Sequence, residues 1–72
     1  MTNEEKLELL AEAMDIDASE LGVEDQIGDN AAWDSLSMLA LMASVSSKTG
    51  KKIKPSELLA AVSVQDVLDL IG

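Results

Sequence analysis

The 72-residue sequence predicts an all-α fold: a small four-helix bundle of three longer helices and one short third helix, with a long loop between helices one and two. Three observations carry that expectation. Apolar residues recur at helical spacing in three separate stretches, each opened by a residue type that caps helices. A weakly patterned stretch of about twenty residues separates the first two, and the only proline opens a short segment before the last. Cysteine and histidine are both absent, so a packed helical core must hold the fold without disulfides or the commonest metal ligand. A chain of this length buries only about 60% of its unfolded surface, and one domain over residues 1–72 is expected.

Thr2 and Glu5 have the spacing of a capping box, and Leu7, Leu10, Ala11 and Met14 then follow the i, i+3, i+4, i+7 pattern, which predicts a first helix over residues 3–14. From Asp15 to Asp34 the periodicity fades into acids, glycines and an asparagine. Ile16, Leu21, Val23 and Ile27 are the anchors expected to pack this loop, and residues 18–21 suit a short turn of helix. The second helix is expected to begin at the N-cap Asp34 and to stop at Gly50, with Lys48 complementing the dipole near its end. Pro55 suits the first turn of a short helix to about Ala60. Ser63 and Asp66 cap the last helix, whose apolar stripe is Val64, Val67, Leu68 and Ile71.

The formal charge of −9 is unevenly placed. Residues 1–34 hold eleven acids and one lysine, net −10, whereas residues 35–72 hold three acids and four lysines, net +1. An acidic surface opposes binding to nucleic acid and anionic membranes and favours partners with basic docking patches. No apolar stretch is long enough to cross a bilayer and no N-terminal signal pattern is present, so a cytoplasmic monomer is expected. Asp15-Ile16-Asp17-Ala18-Ser19 has the opening of a calcium loop, but Glu20 stands where the turn needs glycine and Gln26 where the loop closes with glutamate. No metal site is expected.

The functional signal is Trp33-Asp34-Ser35-Leu36. A serine hydroxyl becomes a catalytic nucleophile only beside a positioned base, and this chain has no imidazole, no thiol and no lysine near Ser35. That points to a serine that is modified, with no catalytic residues of its own. Advancing about 100° per residue from Ser35 places Met38, Leu41, Met42 and Val45 on one apolar stripe near about 290°. Leu36, Leu39 and Ala43 form a second stripe near about 75°, which is either further core against the short third helix or a docking face beside the serine. Ser37, Ala40, Ser46 and Ser47 are expected to make up much of the helix's polar surface. Trp33, the only aromatic residue, is expected to anchor the loop against the bundle, with direct partner contact the alternative.

In order along the chain stand an acidic first helix, a long loop, Asp34-Ser35-Leu36 opening helix two, a short third helix, and Ser63-Val64-Gln65-Asp66-Val67 opening the last. In this combination the chain resembles the acyl carrier protein family over nearly its whole length. The resemblance implies that Ser35 carries covalent 4′-phosphopantetheine, transferred from coenzyme A by a phosphopantetheinyl transferase, whose terminal thiol holds acyl cargo as a thioester. It also implies recognition of Asp34 by that transferase. The unpaired N–H groups and positive end of a helix agree with a phosphodiester at that position. The Trp before Asp-Ser-Leu is similar to discrete carriers outside the housekeeping fatty acid set, where Gly-x-Asp-Ser-Leu is usual.

The sequence departs from that set in one respect: the family's fatty acid carriers line helix two with acids, and none lies between Ser35 and Gly50. Steering of acyl-loading and acyl-processing enzymes is therefore expected from acids elsewhere, Asp25 and Asp29 among them, with apolar contacts from Leu36 and Leu39. The expected function is a shuttle for intermediates of fatty acid, polyketide or a related specialised biosynthesis, with an acyl chain able to enter between helices two and three along Met38 and Met42. A peptidyl or D-alanyl carrier shares the fold and the arm. An unmodified acidic helical interaction module is the alternative from a different class.

Overall fold

The computed structural model describes residues 1–72 and contains four α-helices: α1 (Asn3–Met14), α2 (Ser35–Thr49), α3 (Pro55–Ala60) and α4 (Val64–Ile71). α1 packs against α2 and α4, and α3 against α4. This is the small all-α bundle expected from the periodicities, with the long connection between α1 and α2 in place.

Each long helix begins where its capping residues predict. The Glu5 amide donates to Thr2 Oγ1 (3.2 Å) and the Thr2 amide to Glu5 Oε1 (2.8 Å), closing the capping box of α1. At its other end Asp15 adopts a left-handed conformation (φ 57°), the only non-glycine residue to do so; aspartate tolerates this better than most residues. α2 ends at Gly50, whose φ of 76° is the left-handed stop that glycine provides, and its amide donates to the Ser46 carbonyl (3.0 Å). α4 is capped by Ser63, whose Oγ accepts from the Asp66 amide (3.1 Å).

The core joins all four helices and the loop. Leu10, Leu41, Val45, Leu58, Val64, Val67 and Leu68 are fully enclosed, and Leu21 and Ile27 bring the loop into the same cluster. Ile16, Val23 and Trp33 are half-buried against it. Trp33 thus anchors the loop against the bundle, as expected.

The loop contains two single turns of 3-10 helix, Ala18–Glu20 and Ile27–Asp29. The first falls where a short helical turn was expected; the second has no apolar periodicity to announce it. Asp17 and Glu20 serve the first turn as caps: Asp17 Oδ1 accepts from the Ser19 amide and Glu20 Oε2 from the Asp17 amide, both at 3.0 Å. Beyond it the chain runs alongside the α3–α4 connection. The Ile27 amide donates to the Val62 carbonyl (2.9 Å), the Val64 amide to the Asp25 carbonyl (2.9 Å) and the Gln65 amide to the Val23 carbonyl (3.0 Å). These bonds form an isolated antiparallel bridge at Gln26 and Ser63. Asp66 reinforces it by accepting from the Val62 (3.1 Å) and Ser63 (3.0 Å) amides through Oδ2.

The first turn of helix two as a candidate attachment site

Ser35 is the first residue of α2 and is exposed, with no hydrogen bond from its hydroxyl to another group of the chain. Asp34 immediately before it is the N-cap, in extended conformation, and its Oδ1 accepts from the Ser37 amide at 2.9 Å. The Met38 amide is already taken by the Asp34 carbonyl (3.0 Å). Of the first amides of α2, that of Ser35 keeps no acceptor within the chain, while the Leu36 amide faces the Asp34 carboxylate along with that of Ser37. An exposed hydroxyl beside a free N–H group at the positive end of a helix is a chemical fit for a phosphodiester.

The stripes of α2 separate in the structure. Leu41 and Val45 are fully buried, with Met38 and Met42 half-buried beside them, so the first stripe faces the core. The second faces outward: Leu36 is 75% exposed, Leu39 59%, and Ala43 is exposed as well. The stripe is thus not core against α3, although Leu39 borders α3 across a groove shared with Pro55 and Leu59. Leu59 of α3 and Val62 of the α3–α4 connection add further apolar surface, 71% and 62% exposed.

Between α2 and α3 an apolar groove of about 240 Å³ is lined by Ser35, Met38, Leu39, Met42, Pro55 and Leu59. Its mouth includes the exposed serine. Asp25 and Asp29 lie apart from this groove, bordering a separate polar recess of about 260 Å³ with Gln26 and Asn30. Asp25 is partly engaged, since its Oδ2 accepts from the Gly22 amide (2.9 Å).

One expectation is corrected. Ser37, expected on the polar surface of α2, is buried with 5% exposure and is the only polar residue among the buried ones. Its hydroxyl donates to the Ala32 carbonyl and lies 3.1 Å from Asp34 Oδ1. Helical periodicity alone could not place it, because the burial comes from the loop folding back over the start of the helix. Asn30, also unremarked from the sequence, accepts the Ala32 amide on Oδ1 (2.9 Å) and the Trp33 amide on its carbonyl (3.0 Å). Its spacing to Ala32 is that of an Asx turn, the one local signal available.

The family described as phosphopantetheine attachment site matches residues 7–71. The chain belongs to this family. It is a carrier domain for the 4′-phosphopantetheine prosthetic group, which a phosphopantetheinyl transferase attaches. No curated protein matches the chain. No helix is long and apolar enough to cross a membrane.

Asp34 gives the site a pH signature. The Ser37 amide, then the Ser37 hydroxyl, holds its carboxyl below the usual aspartate value of 3.8. The folded state therefore favours the carboxylate, a contribution complete above the unfolded value and lost as pH falls through the lower folded one. Asparagine keeps a capping oxygen without the charge. The difference in urea midpoint between the wild type and Asp34→Asn is expected to shrink on acidification below about pH 3.8; parallel acid limbs would contradict this account of the cap.

Proposed function

We propose that the protein is an acyl carrier in which Ser35 bears the phosphopantetheine arm, transferred from coenzyme A. The observation that carries this reading is the exposed Ser35 hydroxyl at the start of α2, beside the free amide of Ser35. The transferase supplies the base and the phosphate chemistry, because the chain has no histidine, cysteine or lysine beside Ser35. The serine oxygen forms the new bond to phosphorus as the bond to adenosine 3′,5′-bisphosphate breaks. Once attached, the arm holds cargo as a thioester on its terminal thiol. The carrier itself catalyses nothing; it presents the cargo to successive enzymes at high local concentration.

Incubation with coenzyme A and a broad-specificity phosphopantetheinyl transferase is expected to add the mass of a single arm to the wild type and nothing to Ser35→Ala. Absence of addition under conditions that modify a control carrier would favour the unmodified interaction module instead.

The groove between α2 and α3 supports an acyl cargo over an aminoacyl one, since its lining is apolar and its mouth adjoins Ser35. Met38 and Met42 flank the path and are flexible enough to yield space to a hydrocarbon chain. Methyl shifts of both residues are expected to change between the holo protein and a long-chain acyl form; identical shifts would exclude entry by this route.

Asp34, Leu36 and Leu39 form the docking surface in this reading, with Asp25 and Asp29 steering basic partners toward it. The acid-free α2 points to enzymes of a dedicated fatty acid, polyketide or related pathway in preference to the usual fatty acid set. Reversing the charge at Asp25 and Asp29 together is expected to slow association with the transferase at low salt and to leave it nearly unchanged at high salt. An unaltered low-salt rate would remove the loop acids from the docking account.

A further inference from the structure

We propose that Ser37 is a positioning residue for modification of Ser35, locking the chain that enters α2 so that Ser35 meets the transferase in one orientation. The inference rests on Ser35 being the attachment residue. A serine early in a helix ordinarily points to solvent or bonds within its own helix. Ser37 is buried instead: its hydroxyl reaches back five residues to the Ala32 carbonyl and lies 3.1 Å from Asp34 Oδ1, and its amide holds the same oxygen at 2.9 Å.

The opposite side of the same segment is tied to Asn30. Ala32 therefore has both backbone polar groups engaged, its amide by Asn30 Oδ1 (2.9 Å) and its carbonyl by Ser37. Trp33 is held through its amide by the Asn30 carbonyl (3.0 Å) and through its half-buried ring by the core. Asp34 is held through its carboxylate. Ser35 follows these three fixed residues, which place its Cα and Cβ, and its unrestrained oxygen is then positioned by rotation about χ1 alone.

That placement matters because transfer requires the oxygen to approach phosphorus in line with the departing group, and a displacement of about 1 Å costs about 100-fold in rate. Ser37 lies about 200° around the helix from Ser35. It is buried and lines neither the apolar groove nor the recess beside Asp25 and Asp29. The one docking side chain its hydroxyl touches is that of Asp34, at 3.1 Å, and removal of the hydroxyl leaves the Asp34 carboxylate held by the Ser37 amide at 2.9 Å. A transferase that requires only an exposed serine would not register the change.

The test uses the full chain in the apo form, with coenzyme A and a phosphopantetheinyl transferase, at a temperature where circular dichroism shows each variant folded. For Ser37→Ala, kcat is expected to fall about 10-fold or more with KM within about twofold of wild type, because orientation and not docking is lost. Ser37→Thr, which restores the hydroxyl, is expected to recover most of the rate. Ser37→Cys keeps the volume with a weak donor and is expected to lie between, providing the reading if the alanine variant fails to fold. Wild-type kcat in a folded alanine or cysteine variant would overturn the inference, as would a loss that threonine does not recover. Failure of the wild type itself to be modified, or modification persisting in Ser35→Ala, would instead overturn the assignment on which the inference rests.

Discussion

The pairing of residues 23–27 with residues 62–65 is the constraint on which the rest of the structure depends. Some twenty residues connect α1 to α2, and an unsupported connection of that length would leave the start of α2 free to shift. Three backbone hydrogen bonds to the α3–α4 connection fasten it midway, and Leu21 and Ile27 sink into the core on either side. One carboxylate holds the α3–α4 side of this contact. Asp66 caps α4 and also holds the Val62 and Ser63 amides, so the connection that receives the loop is itself held in shape. The short span from Asn30 to Asp34 then needs only local bonds to deliver Ser35 to the end of the helix.

α2 divides its circumference among three tasks, and that division explains its composition. Leu41 and Val45 are committed to the core, while Leu36 and Leu39 remain outside, so the helix is apolar on a buried face and on an exposed one. Met38 and Met42 lie between these surfaces along the groove beneath α3. α3 is six residues long with only Leu58 fully buried, and it leans chiefly on α4. A short helix attached through one buried side chain has less packing energy to lose on moving than α1 or α4 does. The groove is thus bounded on one side by a firmly held helix and on the other by a lightly held one.

Helix boundaries were legible in the sequence because each depends on local chemistry. Thr2, Asp34 and Ser63 cap the amides their spacing indicates, and Gly50 takes the left-handed stop. The serine that begins α2 was legible for the same reason. What escaped were consequences of chain reversal: Ser37 looks like surface in a helical projection and is buried because Ala32 folds back over it. The Ile27–Asp29 turn was equally hidden, since its Ile27 amide is held by Val62, thirty-five residues away in sequence. The ambiguous stripe of Leu36 and Leu39 needed tertiary structure for a different reason. Periodicity identifies an apolar face but not what covers it.

Charge and apolar contact are assigned to different parts of this carrier, and their ranges make that arrangement workable. Coulomb attraction extends over about 8 Å at physiological salt, whereas apolar burial acts only at contact. The acids concentrated in α1 and the loop set a long-range field, and the outward face of α2 is left to uncharged and apolar side chains. Placing acids on α2 itself would combine the two but would also set negative charge along the helix that begins with Ser35. Here the only acid beside Ser35 is Asp34, and one of its carboxylate oxygens is already held by the Ser37 amide. The amide dipoles at the helix start therefore meet little nearby negative charge, since the other acids of the chain's first half lie in α1 and the loop.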